Sequence, residues 1–163
     1  MATYETLVEK DLPNKTLHIT REFKAPVEKV WTAWTDADQL EKWWAPRPWK
    51  AITQKMDFSV GGVWLYYMQG PESEKHYCRV DFTAIEDGKS FSAASSFCDE
   101  NGVLTDGMPT MYWKNNFSVT DEGSKVVCEV SFDDEAGLAT ILQMGFQGGF
   151  TMALGNLDEL LEA

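Results

Sequence analysis

Residues 146–160 have the sequence FQGGFTMALGNLDEL, in which apolar residues recur with the period of a helix. The apolar positions, alternately four and three residues apart, are Phe146, Phe150, Ala153, Leu157 and Leu160. This spacing puts all five on one face of a helix of about four turns that ends near the C-terminus. Because such a face must be buried, the stretch predicts a long C-terminal helix packed on the rest of the domain.

The chain before this helix contains one alternating strand and two short helical patterns. Leu17, Ile19, Arg21 and Phe23 share one face of the strand, after which Pro26 marks the start of the first helix. The apolar positions of the two helices are Val27, Val30, Trp31, Trp34, Leu40, Trp43 and Trp44. Their spacing is that of a packed core, and Asp36 is placed to cap the second helix.

Between about residues 50 and 132 the apolar period is two, and Gly, Pro, Asn and Asp interrupt it at turns. The predicted strands cover residues 51–58, 62–69, 75–85, 90–98, 110–119 and 124–132. Together with the first strand they predict an α+β fold, in which a curved seven-stranded antiparallel sheet wraps around the C-terminal helix. We expect a single domain over residues 1–163, with a core of about 16–162 and a lead-in segment of residues 1–15.

The charge of the chain excludes several classes of partner. It has 14 Lys and Arg against 26 Asp and Glu, a net charge of −12, so we expect no nucleic-acid binding and no membrane association. The N-terminus shows no export signal, which predicts a cytoplasmic protein. Cys78, Cys98 and Cys128 have no CxxC spacing and indicate reduced thiols. We expect no cofactor and no metal, and we place the acidic run 133–135 at a helix start rather than at a calcium site.

The order of several short motifs resembles that of a known family. These are Ala25-Pro26, Val30-Trp31, Trp43-Trp44, Asp57 before Gly61-Gly62, and the terminal Gly149-Phe150 with its leucines. The chain resembles the SRPBCC superfamily, also called START-like or Bet v 1-like, and within it the branch of proteins like the activator of Hsp90 ATPase homologue 1. Ser59 and Phe150 depart from that branch, which often has Arg and usually Trp at these positions.

The resemblance, over about residues 16–162, implies the helix-grip fold with a mostly apolar cavity between the sheet and the C-terminal helix. It also implies that Trp64, Tyr66 and Met68 face this cavity. The opposite face of their strand (Val63, Leu65, Tyr67) is then either a homodimer surface or covered by the N-terminal segment.

Strand parity nominates the other cavity walls. One face carries Trp113, Asn115, Phe117 and Val119; two more carry His76, Cys78, Val80, Phe82 and Phe91, Ala93, Ser95, Phe97. The predicted ligand-binding residues are Arg21, Trp64, Tyr66, Met68, His76, Val80, Phe82, Phe91, Trp113, Asn115, Phe117, Phe146 and Phe150.

Three of these residues carry alternatives. Arg21 needs either a structural carboxylate or an anionic ligand. Asn115 either satisfies the core or orients a ligand carbonyl or hydroxyl. His76 is the single weak candidate for catalysis, against the interpretation of a polar residue at the cavity rim.

The leading functional hypothesis is a non-catalytic protein that binds a small apolar or aromatic molecule. The alternative is a cyclase- or aromatase-like enzyme that uses His76, Asn115 or Tyr66 in the same cavity. An Hsp90-associated co-chaperone is the least favoured, because the resemblance implies that such proteins carry a further Hsp90-binding domain for which 163 residues leave no room.

Overall fold

The structure, a computed structural model, describes residues 5–162. One antiparallel sheet runs in the order β1-β2-β8-β7-β6-β5-β4-β3. The strands are β1 (Leu7–Asp11), β2 (Thr16–Phe23), β3 (Lys50–Met56), β4 (Val63–Gln69), β5 (Lys75–Glu86), β6 (Ser90–Phe97), β7 (Met111–Thr120) and β8 (Gly123–Ser131). The helices are α1 (Val27–Thr35), α2 (Ala37–Trp43), α3 (Glu135–Gln143) and α4 (Phe146–Glu162).

The predicted helix-grip architecture is confirmed. The sheet is curved, and α4 packs against its inner face through a buried stripe that includes Phe150, Leu154 and Leu157. The rings of Phe150 and Trp113 lie 5.5 Å apart, which joins α4 to β7. The short helices α1 and α2 close one end of the sheet, where Trp31, Trp34 and Trp43 are buried.

Two elements differ from the sequence-based expectation. The sheet has eight strands rather than seven, because Leu7–Asp11, part of the predicted lead-in segment, pairs with β2 at the sheet edge. A further helix, α3, precedes α4, and the Asp134 side chain caps it by accepting a hydrogen bond from the Gly137 amide at 2.7 Å. The acidic run therefore marks a helix start, as expected.

The outer face of β4 is half-buried, and the loop after β6, which the sequence analysis did not consider, covers part of it. β1 joins the opposite edge of the sheet, so the idea that the N-terminal segment covers β4 is wrong. Leu65 instead packs beside Gly102 in the loop after β6, and Arg79 Nη1 donates a hydrogen bond to the Gly102 carbonyl at 3.1 Å. Homodimerisation through this face stays a prediction.

Strand register aligns the inward-facing residues into rows across the sheet. Tyr66 of β4 lies opposite Cys78 of β5, which lies opposite Phe97 of β6. Phe91 of β6 lies opposite Asn115 of β7. These rows form the floor of the space between the sheet and α4.

Candidate functional site

The space between the sheet and α4 contains an outer chamber of about 450 Å³. Strands β4 to β7 form its floor, and its other walls come from α4, the α3–α4 junction and the segment after α2. The lining residues are Trp44, Pro46, Trp49, Tyr66, Met68, His76, Cys78, Ser95, Ser96, Phe97, Pro109, Met111, Trp113, Ile141, Met144, Gly145, Phe146, Gly149 and Phe150. The volume falls in the range of small-molecule sites, which is roughly 300–1,000 Å³.

The outer chamber has no carboxylate, ammonium or guanidinium group in its described lining, although the chain has a net charge of −12. Its described lining residues include no Asp, Glu, Lys or Arg. Burial raises the pKa of the Tyr66 hydroxyl well above its ordinary value and raises the pKa of the Cys78 thiol to about 11. Both groups are therefore uncharged at neutral pH, and the chamber favours a neutral ligand.

The open end of the outer chamber lies where α3 meets α4. Met144 is 54% exposed, and Gly145 next to it has φ of +88°, a left-handed conformation that lets the chain turn between the helices. His76 is exposed on the facing strand, with its ring 5.3 Å from that of Trp49. His76 thus lies at the rim, as one of its two interpretations proposed.

An inner chamber of about 30 Å³ lies deeper in the fold. Its lining residues are Trp34, Leu40, Trp44, Trp64, Val80, Phe82, Phe91, Ala93, Ser95, Trp113 and Asn115. Trp44, Ser95 and Trp113 line both chambers and so form the wall between them. The Trp44 and Trp113 rings lie 6.0 Å apart in this wall.

The wall is fixed to the sheet by a hydrogen bond. Trp44 Nε1 donates to the Tyr66 hydroxyl at 2.9 Å, and the Tyr66 ring stacks on Trp64 with centroids 3.9 Å apart. Trp64 Nε1 in turn donates to Thr53 Oγ1 at 3.1 Å. Since each indole N–H has a partner, this part of the wall is held in one arrangement.

The two chambers together contain eleven of the thirteen predicted site residues. Tyr66, Met68, His76, Phe146 and Phe150 line the outer one, and Trp113 lines both. The inner one is lined by Trp64, Val80, Phe82, Phe91 and Asn115. Contact with a ligand stays a prediction for all of them.

Phe117 and Arg21 line neither chamber. The Phe117 ring packs 5.0 Å from Trp31 in the core. Arg21, 5% exposed, donates to both carboxylate oxygens of Asp158, with Nη1–Oδ1 at 2.8 Å. For Arg21 the geometry therefore supports the structural carboxylate, which comes from α4, rather than an anionic ligand.

The family model for "Activator of Hsp90 ATPase homolog 1-like protein" matches residues 24–162. The chain belongs to this family, which is part of the SRPBCC superfamily. Comparison with curated proteins gives no match.

Solved structures of bacterial proteins share the fold over nearly the whole chain. Protein Ms6760 from Mycobacterium smegmatis is 33% identical, with a TM-score of 0.88 and coverage of 96% of each chain. A protein from Arthrobacter aurescens is 30% identical, with a TM-score of 0.90 over 96% of this chain and 91% of that one. Protein NE0264 from Nitrosomonas europaea is 25% identical, with a TM-score of 0.81 over 94% and 98%.

In this member of the activator of Hsp90 ATPase homologue 1-like family, Trp44 has two roles. Its helical spacing placed it with the core tryptophans, and its ring does pack against those of Trp34 and Trp43. Trp44 also lines both chambers. The spacing did not indicate this second role, because it identifies a buried helix face and not a space beside that face.

Other lining residues escaped prediction because they lie outside the alternating strands. Pro46 and Trp49 follow α2, Pro109 precedes β7, and Met144 and Gly145 connect two helices. Strand parity did nominate Cys78, Ser95 and Phe97, which line the outer chamber. It was wrong for Val119, which is 74% exposed near the end of β7.

A third depression, of about 510 Å³, lies on the outer face of the sheet. It differs from the two chambers because charged groups line it, including Asp11, Lys114 and Glu129. Across residues 5–162, no group of three or more His, Cys, Asp or Glu is placed to hold a metal ion. Within the same residues, every helix is too short or too polar to cross a membrane.

Proposed function

We propose that this protein binds a small, neutral, apolar or aromatic molecule in the outer chamber. The observation that carries the proposal is a lining rich in aromatic rings and Met side chains, without Asp, Glu, Lys or Arg, around about 450 Å³. Removing apolar surface from water drives binding at such a site, and a charged ligand would lose its hydration without gaining a counter-charge.

The shape of the chamber also supports a ligand of one or two rings. Trp49, Phe146 and Phe150 are aromatic residues of the lining, and Phe146 stacks on Phe150 with centroids 5.5 Å apart. Aromatic pairs prefer stacked or edge-on arrangements, which an aromatic ligand can continue. The Met68, Met111 and Met144 side chains are flexible and can adapt to ligands of different outline.

The same features bear on the alternative of a cyclase- or aromatase-like enzyme. Tyr66 is held neutral by burial, so it can donate or accept a hydrogen bond but does not act as a base at neutral pH. Asn115 belongs to the inner chamber and His76 to the rim of the outer one. The two side chains lie on opposite sides of the wall formed by Trp44, Ser95 and Trp113, which separates them as partners in one proton transfer, so binding without turnover is the better supported function.

A pair of glycines on α4 gives a matched test of the binding site. Gly149 lines the outer chamber, and an added Cβ there would lie 3.8 Å from Pro46 Cγ, an ordinary contact. Gly155 is also half-buried on α4 but lines neither chamber, and an added Cβ meets no atom within 4 Å. Gly149→Leu should fill the chamber, whereas Gly155→Leu makes the same chemical change elsewhere.

The experiment is a fluorescence titration with the neutral probe N-phenyl-1-naphthylamine. We expect wild-type protein and Gly155→Leu to bind with the same Kd, and Gly149→Leu to bind at least about tenfold more weakly. Circular dichroism checks that both variants are folded. Equal probe affinity in all three proteins would refute the outer chamber as the site.

A further inference from the structure

The inner chamber contains two buried polar groups that have no hydrogen-bond partner. Asn115 is 2% exposed and Trp34 is 4% exposed. Asn115 Oδ1 and Trp34 Nε1 are both unpaired among the described residues. Such groups are rare in folded proteins because each loses its hydrogen bond to water on burial.

Both residues line the same space of about 30 Å³. That volume suffices for one or two non-hydrogen atoms and is too small for a ring. The rest of the described lining is apolar apart from Ser95. The two residues beside this space therefore bring one unpaired acceptor and one unpaired donor to it.

A hydroxyl is the group that satisfies both. Its hydrogen can be donated to Asn115 Oδ1, while its oxygen accepts from Trp34 Nε1. A carbonyl oxygen would satisfy Trp34 and leave Asn115 unpaired. A protonated amine would satisfy Asn115 and leave Trp34 unpaired, and a methyl group would satisfy neither.

We infer that the inner chamber is a subsite for a hydroxyl group, so the ligand is an aromatic or apolar alcohol or phenol. This inference rests on the proposed function, since the body of the ligand occupies the outer chamber. Ser95 is the smallest of the three residues that line both chambers, the others being Trp44 and Trp113. We therefore place the path of the hydroxyl to Asn115 and Trp34 at Ser95.

The test compares 4-butylphenol with 4-butyltoluene, two probes that differ only in a hydroxyl and a methyl of similar size. Their Kd values are measured by isothermal titration calorimetry on the full chain. We expect the phenol to bind at least about tenfold more tightly, because the toluene leaves both buried groups unpaired. Equal affinity of the two probes would overturn the hydroxyl subsite while leaving the proposed function intact.

Variants then assign the preference to the two residues. Asn115→Leu and Trp34→Phe each remove one polar group and should reduce the phenol preference to less than about threefold. The matched controls are Asn116→Leu, exposed on the other face of β7, and Trp31→Phe, a buried indole that lines neither chamber; both should keep the full preference. A preference that survives in Asn115→Leu and Trp34→Phe would refute the assignment.

The remaining outcomes are also decisive. If neither probe binds wild-type protein, the proposed function fails and the subsite fails with it. Thermal unfolding identifies a variant that does not fold, and we expect Asn115→Leu to be at least as stable as wild type because it removes an unpaired polar group. If Trp34→Phe alone unfolds, Asn115→Leu with its Asn116→Leu control decides the question.

Discussion

Trp44 and Tyr66 are joined across the wall of the outer chamber, where the indole Nε1 donates to the phenolic oxygen at 2.9 Å. One residue follows α2 and the other lies in β4, so the bond fixes the distance between the helical end and the sheet. Both rings line the chamber, which makes the bond part of the binding surface.

Tyr66→Phe should lower the free energy of unfolding by about 1 kcal/mol, because it leaves the partly buried Trp44 indole without an acceptor. Tyr67→Phe is the control, since Tyr67 lies on the opposite face of β4. Urea denaturation followed by circular dichroism measures both. Equal destabilisation by the two substitutions would contradict a special role for the Trp44–Tyr66 bond.

Asp158 and Glu159 form one partly buried and one exposed ion pair, so variants of the two residues test whether burial makes an ion pair matter more for stability. Asp158→Asn removes the counter-charge of buried Arg21 and should lower the free energy of unfolding by on the order of 2 kcal/mol. Glu159 pairs with Arg47 at the surface, so Glu159→Gln should change it by less than about 0.5 kcal/mol.

The same pair of variants tests whether Arg21 contributes to binding. Because Arg21 lines neither chamber, Asp158→Asn should leave the affinity for N-phenyl-1-naphthylamine unchanged in protein that is still folded. A large loss of affinity would restore the ligand role that the sequence suggested for Arg21.

Stability should fall in alkali because the three cysteine thiols are buried in the neutral form. Burial raises the pKa of Cys78 from 9.0 to about 11 and also raises the pKa of Cys128. Above pH 9 the unfolded chain loses thiol protons that the folded chain keeps, so the unfolded state gains stability as pH rises. The Cys78 contribution is complete below pH 9 and is lost between about pH 9 and 11.

Thermal unfolding from pH 7 to 11 checks this prediction. We expect the Tm of wild-type protein to fall above pH 9 and the Tm of Cys78→Ala to fall less steeply. The size of the difference is roughly 1.4 kcal/mol per pH unit for one thiol in this range. Parallel Tm curves for the two proteins would contradict the burial of a neutral Cys78 thiol.

Gly61 and Gly62 resist substitution for two different reasons. A Cβ at Gly62 would lie 2.2 Å from the Asp57 carbonyl oxygen, so Gly62→Ala should cost roughly 3 kcal/mol. Gly61 has φ of +85° with open space around it, so Gly61→Ala should cost about 1 kcal/mol. Chemical denaturation measures the free energy of unfolding that each variant loses. A smaller loss for Gly62→Ala than for Gly61→Ala would contradict the close approach of Gly62 to the Asp57 carbonyl.

The sequence predicts most of this fold because the hydrophobic period is strong where burial is strong. β7 alternates between buried and exposed residues along most of its length, and α4 has a regular buried stripe. β1 escaped prediction because it is an edge strand with no fully buried residue. α3 escaped because only Leu138 and Ile141 are buried in it.

The candidate site is less predictable, for a physical reason. Strand parity identifies a floor, including Tyr66, Cys78 and Trp113, but the rim consists of segments without a period, such as Pro46 and Met144. The division into two chambers depends on where the side chains of Trp44, Ser95 and Trp113 lie. No pattern of spacing carries that information.

The central claim is that a neutral ligand binds in the outer chamber, and the methionine methyl groups report on it directly. Met68, Met111 and Met144 line the chamber, whereas Met56 and the 49% exposed Met152 do not. The decisive measurement is methyl NMR of protein labelled with 13C at the methionine methyl carbons, titrated with N-phenyl-1-naphthylamine. We predict saturable shifts of the Met68, Met111 and Met144 methyl signals with Met56 and Met152 unchanged; shifts confined to Met56 or Met152, or no shifts at all, would contradict the claim.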